Sequence, residues 1–71
     1  MSDTGDKMLE ELFNQIEDRI RKAEEALQRA KLLAEFLRKA GEDTSKYDEE
    51  IRKLEEKIRA YKEALVAVRG F

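Results

Sequence analysis

The chain has 71 residues, 45% of them charged; 15 basic and 17 acidic side chains leave a net charge of -2, and Cys, His, Pro and Trp are absent. That inventory excludes a disulfide framework, a thiolate or imidazole catalyst and an ordinary zinc site, and interleaved charge argues against a general polyanion binder, which carries a basic excess or stripe. No apolar run approaches the ~20 residues that span a bilayer, and the polar, acidic Met1 to Asp6 does not read as a secretory leader, so a soluble, cytoplasmic protein without membrane or nucleic-acid partners is expected.

Residues 1–71 form a single domain at most, and a composition led by Glu, Lys, Arg, Ala and Leu is that of long helices. The chain opens on a short polar lead in which Asp3, Thr4 and Asp6 are all competent N-caps. Helix one is expected over about 6–40. Along it Leu9, Phe13, Ile16, Ile20, Ala23, Leu27, Ala30, Ala34 and Leu37 follow at alternating steps of four and three, a single stripe on a helix. Arg38 and Lys39 favour the negative end of the helix dipole, and Gly41 stands where a left-handed C-cap needs a residue without Cβ.

The turn is expected over 41–44, with Asp43, Thr44 or Ser45 capping the next helix. Ser45 and Asp48 have capping-box spacing, and Asp48, Glu49 and Glu50 put negative charge in the first turn. Helix two is expected over about 45–69, with Tyr47, Ile51, Leu54, Ile58, Tyr61, Leu65 and Val68 as its stripe and Gly70 as its stop. Pairs at four-residue spacing support both helices: Glu17–Arg21, Asp18–Lys22, Glu25–Arg29, Glu35–Lys39, Asp48–Arg52, Glu49–Lys53 and Glu55–Arg59, each contributing about 0.2–0.5 kcal/mol.

Lettered as heptads, with Leu9 and Tyr47 at d, the two stripes predict an antiparallel coiled-coil hairpin. Its layers are Leu37 with Tyr47, Ala34 with Ile51, Ala30 with Leu54, Leu27 with Ile58, Ala23 with Tyr61, Ile20 with Leu65 and Ile16 with Val68. Small residues of helix one face large ones of helix two, as close packing requires. The facing e positions then pair Arg38 with Asp48, Lys31 with Glu55, Glu24 with Lys62 and Glu17 with Arg69, all opposite in sign, which disfavours slipped registers.

The other flank, made of g and c positions, carries apolar and small residues. Met8, Leu12, Ala26, Leu33, Phe36, Ala60, Ala64, Ala67 and Phe71 fall on it, and Leu32 widens it near the turn. These residues form the expected interface with another protein surface, because a chain below ~70–80 residues with no disulfide or metal has a core of only ~3–5 kcal/mol. The basic residues Arg19, Lys22, Arg29, Lys53 and Lys57 share that flank as a local patch among acidic neighbours.

No catalytic, cofactor-binding or metal-ligating residues are expected. Ser2, Thr4, Thr44 and Ser45 sit at helix starts, where capping explains them. Adjacent carboxylates such as Glu10–Glu11, Glu24–Glu25 and Glu55–Glu56 diverge around the helix and read as solvated charge. The a and d positions hold no Glu for a carboxylate-bridged metal pair, and isolated Gly5, Gly41 and Gly70 make no phosphate loop. Tyr47 and Tyr61 read as core filling with the hydroxyl at an edge.

In length and hairpin layout the chain resembles the plasmid copy-number regulators of the Rop family, which implies dimerisation into a four-helix bundle. The turn segment Gly41 to Tyr47 also resembles turns of the small two-helix cochaperones of type III secretion needles and of the tRNA-binding arm of seryl-tRNA synthetases. Regular heptads and paired e charges resemble de novo designed helical proteins, whereas Phe13-Asn14-Gln15 and Val66 to Phe71 are less idealised and fit a redesigned natural scaffold equally well. The expected function is that of a non-enzymatic scaffold hairpin that self-associates as a homodimer. The alternative is a binding module or cochaperone-like adaptor that captures a partner helix on the apolar flank.

Overall fold

The computed structural model describes residues 3–70, with side chains over 7–70. Two helices account for nearly all of it: α1, Asp3–Lys39, and α2, Ser45–Arg69, packed as an antiparallel hairpin. The molecule is a rod of 62 × 16 × 12 Å. Its radius of gyration of 17.0 Å compares with ~11 Å for a rounded domain of this length. α1 opens at Asp3, ahead of the start expected near Asp6.

The turn is built by backbone hydrogen bonds that close α1. The Glu42 N–H donates to Leu37 O at 2.9 Å and the Gly41 N–H to Arg38 O at 3.0 Å, the pair that defines a Schellman motif. Gly41 adopts φ +84°, the left-handed conformation that this motif demands and that side chains resist.

The start of α2 departs from the capping box. Thr44 occupies the N-cap position and is buried, yet its hydroxyl does not cap a backbone N–H. It donates instead to Asp48 Oδ2 at 3.0 Å and accepts from Arg38 Nη2 at 3.5 Å. Asp43 Oδ1 supplies the cap, accepting the Ser45 N–H at 3.0 Å and the Ser45 hydroxyl at 2.6 Å. Asp48 is unavailable to Ser45 because Thr44 and Arg38 both hold it. Gly70 ends α2 in a right-handed conformation, φ -72°, its N–H directed at Val66 O and Val68 O, so this stop does not use glycine's conformational freedom.

The core is one seam. Ile20, Ala34, Ile58 and Leu65 are buried, and Ala34, at 1% exposure, is the most completely covered of them. Phe13, Ile16, Ala23, Leu27, Ala30, Leu37, Ile51, Leu54, Tyr61 and Val68 are half-buried along the same stripe. Two stripe residues escape the seam. Tyr47 is exposed beside the turn. Leu9 is 52% exposed, because α2 ends at Arg69, opposite Glu17, and α1 runs on past it.

All four cross-hairpin e pairs are formed. Arg38 meets Asp48 at 3.0 Å, Lys31 meets Glu55 at 3.5 Å, Lys62 meets Glu24 at 2.9 Å and Arg69 meets Glu17 at 3.0 Å. Each step is one heptad on both helices, so the register is constant from turn to open end. Of the intrahelical pairs at four-residue spacing, Asp18–Lys22 and Glu35–Lys39 form. Glu17, Asp48 and Glu55 turn to partners on the other helix, and Arg52 bonds Glu56 at 2.9 Å.

Candidate interaction face

The flank opposite the e pairs consists of the g and c positions of both helices. These positions themselves repeat at steps of four and three, so α1 carries a second stripe: Met8, Leu12, Gln15, Arg19, Lys22, Ala26, Arg29, Leu33 and Phe36. The hairpin leaves it open. Met8 is 66% and Phe36 68% exposed, and Leu12, Leu32 and Leu33 are exposed as well, while Ala26 is half-buried between the helices. On α2 the exposed Ala60, Ala64 and Ala67 lie on the same side. Phe71 lies outside the described residues.

The large side chains are not spread evenly. Met8, Leu9 and Leu12 gather at the open end, and Leu32, Leu33 and Phe36 gather near the turn, about 30 Å away along α1. Between them lie Arg19, Lys22, Ala26 and Arg29. Leu9 belongs with the first group, although its heptad position assigns it to the seam. Its membership follows from where α2 stops. Val66 is exposed too, at a b position on the charged side, away from this stripe.

Two shallow depressions follow the flank. One, of about 290 Å³, is shared by both helices and lined by Leu12, Gln15, Ile16, Arg19, Tyr61 and Ala64. The other, of about 340 Å³, lies along the overhang between Met8, Leu9, Glu11, Leu12 and Gln15. The small side chain of Ala64 leaves room for the first. Tyr61 is half-buried at its edge, with Lys57 Nζ 5.9 Å from its ring centroid, a cation–π contact.

Cations predominate on this flank: Arg19, Lys22, Arg29, Lys53 and Lys57 stand against Glu50. Lys22 is held by Asp18 at 3.1 Å and Lys53 by Glu50 at 3.8 Å. Lys22 also holds the Asp18 carboxyl below its ordinary range, first through their hydrogen bond and then through charge, with Arg21 adding to the charge and desolvation opposing both. Among the described residues Arg19 and Glu25 have no ion-pair partner in the chain.

Chemically, the face can bury apolar surface and pair charge. Among the described residues no cluster of acidic side chains is placed to hold a metal ion, and no helix is long and apolar enough to cross a membrane. No family model matches the chain, and no curated protein or solved structure matches it.

Proposed function

We propose that this chain is a non-enzymatic scaffold hairpin that works by self-association, two copies packing their apolar flanks into a four-helix bundle. The observation that carries this reading is surface area. The chain exposes 5949 Å², whereas a compact monomer of 8.3 kDa exposes about 4,600 Å². Burying the excess on two copies would remove about 2,700 Å² in total, within the range of obligate homodimers. The exposed leucines and Phe36 on one flank supply the apolar part of that area.

Light scattering after size exclusion, over a dilution series, tests the reading. The expected mass is twice the 8.3 kDa chain at every concentration. Leu33→Glu with Phe36→Glu, both exposed in the hairpin, is expected to release a folded monomer. A wild type that runs as a monomer throughout overturns the proposal.

The cations on the flank favour a second reading, capture of an acidic amphipathic helix from another protein. A folded monomer that binds such a helix saturably, and loses it on Arg19→Glu, would establish that reading in place of the first.

A further inference from the structure

We infer that the second copy lies turn to tail, with α1 packed antiparallel on α1, so that Met8 and Leu12 of each copy meet Phe36 and Leu33 of the other. The inference rests on the self-association reading and adds to it an orientation and a register.

Two-fold symmetry leaves two ways to lay one flank face to face on another. With the axis along the rod, the turns coincide and α1 faces α2 of the second copy at the same height. The four cross-hairpin ion pairs state what stands at each height. They put Glu50 level with Phe36, Lys53 level with Leu33 and Lys57 level with Arg29. Turn-to-turn packing therefore sets an exposed phenylalanine on a carboxylate, an exposed leucine on an ammonium and a guanidinium on an ammonium, and it leaves Met8 and Leu12 beyond the described end of the facing α2. Desolvating charge against an apolar group is costly even for a pair such as Glu50 and Lys53, and like charges across an interface are repulsive.

With the axis across the rod, α1 faces α1 in the opposite direction. The c and g stripe then reads against itself. Met8 is level with Phe36, Leu12 with Leu33, Gln15 with Arg29 and Arg19 with Ala26, while Lys22 meets its own copy at the axis. Both apolar clusters are used, each twice. Arg19 faces a residue small enough to let its guanidinium reach Glu25 of the second copy, next to that alanine, and neither ion has a partner of its own among the described residues. The self-facing cation, Lys22, is already paired with Asp18 at 3.1 Å. The open end of α1, which α2 fails to cover, lies under the turn-proximal half of the second copy.

The absence of cysteine makes the test direct, because a Glu42→Cys variant carries a single nitroxide label at an exposed position of the turn. Pulsed dipolar spectroscopy, with the mass measured on the same sample, is expected to give a dimer with labels about 60 Å apart, the rise of some 40 helical residues. A dimer with labels roughly 20 Å apart, the width of adjacent helices plus the label arms, overturns the orientation and leaves self-association standing. A monomer with no dipolar signal overturns both.

Discussion

Arg69 Nη2 meets Glu17 Oε2 at 3.0 Å, and among the described residues this is the last ion pair joining the two helices before α2 ends. The same arginine lies over Phe13, its guanidinium carbon 5.5 Å from the ring centroid. Beyond this clamp α1 continues from Leu12 back to Asp3, past the last residue of α2, a stretch of about 14 Å. Its stripe of Met8, Leu9 and Leu12 has the spacing of a core without being covered by the chain's own second helix.

That relationship separates two leucines of one heptad stripe type. Leu65 is buried in the seam, so Leu65→Ala should lower stability by about 2–5 kcal/mol at any protein concentration. A core of this size supplies only ~3–5 kcal/mol, so the variant should lie at the edge of unfolding. Leu9→Ala should cost little in dilute solution and act only where copies associate. Urea titrations at two concentrations a hundredfold apart check both. A concentration-independent loss for Leu9→Ala would mean that Leu9 is covered within the monomer.

How much of this was legible in the sequence follows from what periodicity can encode. The alternation of four and three names a face of a helix, and opposite charges at e positions name a register, so the seam and all four cross-hairpin pairs could be read directly. Coverage is another matter. Leu9 obeys the same spacing as Ile20, yet one is exposed and the other buried, because helix lengths beyond the turn decide what lies opposite. The unequal ends were implicit in the Glu17–Arg69 pair. Competition among acceptors was also hidden: Asp48 could cap, pair along the helix or pair across it, and its bonds to Thr44 and Arg38 use up both of its oxygens. The candidate face was legible as an apolar flank, but its division into two end clusters emerged only with exposure.

Gly41→Ala should destabilise the hairpin by about 1 kcal/mol, entirely through the backbone. A Cβ at Gly41 would meet nothing within 4 Å, so no clash contributes, but φ +84° is unfavourable for alanine. Asn tolerates this conformation better than Ala, and Gly41→Asn should lose less. Thermal unfolding of the three proteins should rank Gly above Asn above Ala. Equal losses for Asn and Ala would show that the left-handed conformation is not what the position selects.

Glu24 and Lys62 meet at 2.9 Å with about half of each side chain exposed. A pair of this kind should show a coupling of only ~0.2–1 kcal/mol in a double-mutant cycle. Glu24→Lys alone places two cations together and should cost more than Glu24→Gln. The exchanged pair, Glu24→Lys with Lys62→Glu, should recover most of the loss. The recovery should shrink in molar salt, where charges are screened beyond about 3 Å. Recovery unaffected by salt would assign the coupling to packing of the side-chain stems.

Acid should weaken the hairpin partly through Asp43 and Asp18. The Ser45 hydroxyl, and after it the Ser45 N–H, holds the Asp43 carboxyl below its ordinary value of 3.8. Lys22 and Arg21 do the same for Asp18. In both cases the folded state binds its proton less readily than the unfolded chain does, so the unfolded chain carries more protons between the two pKa values and stability rises with pH there. The stabilisation is complete above 3.8 and is lost as pH falls through the lowered folded values. Asp43→Asn keeps an oxygen that accepts from Ser45 but cannot titrate, and Asp18→Asn removes the second group. Urea midpoints at about pH 6 and about pH 3 should therefore converge more closely in the double variant than in the wild type. An equal acid loss in both proteins would place the titrating carboxylates elsewhere, among the ion pairs that cross the hairpin.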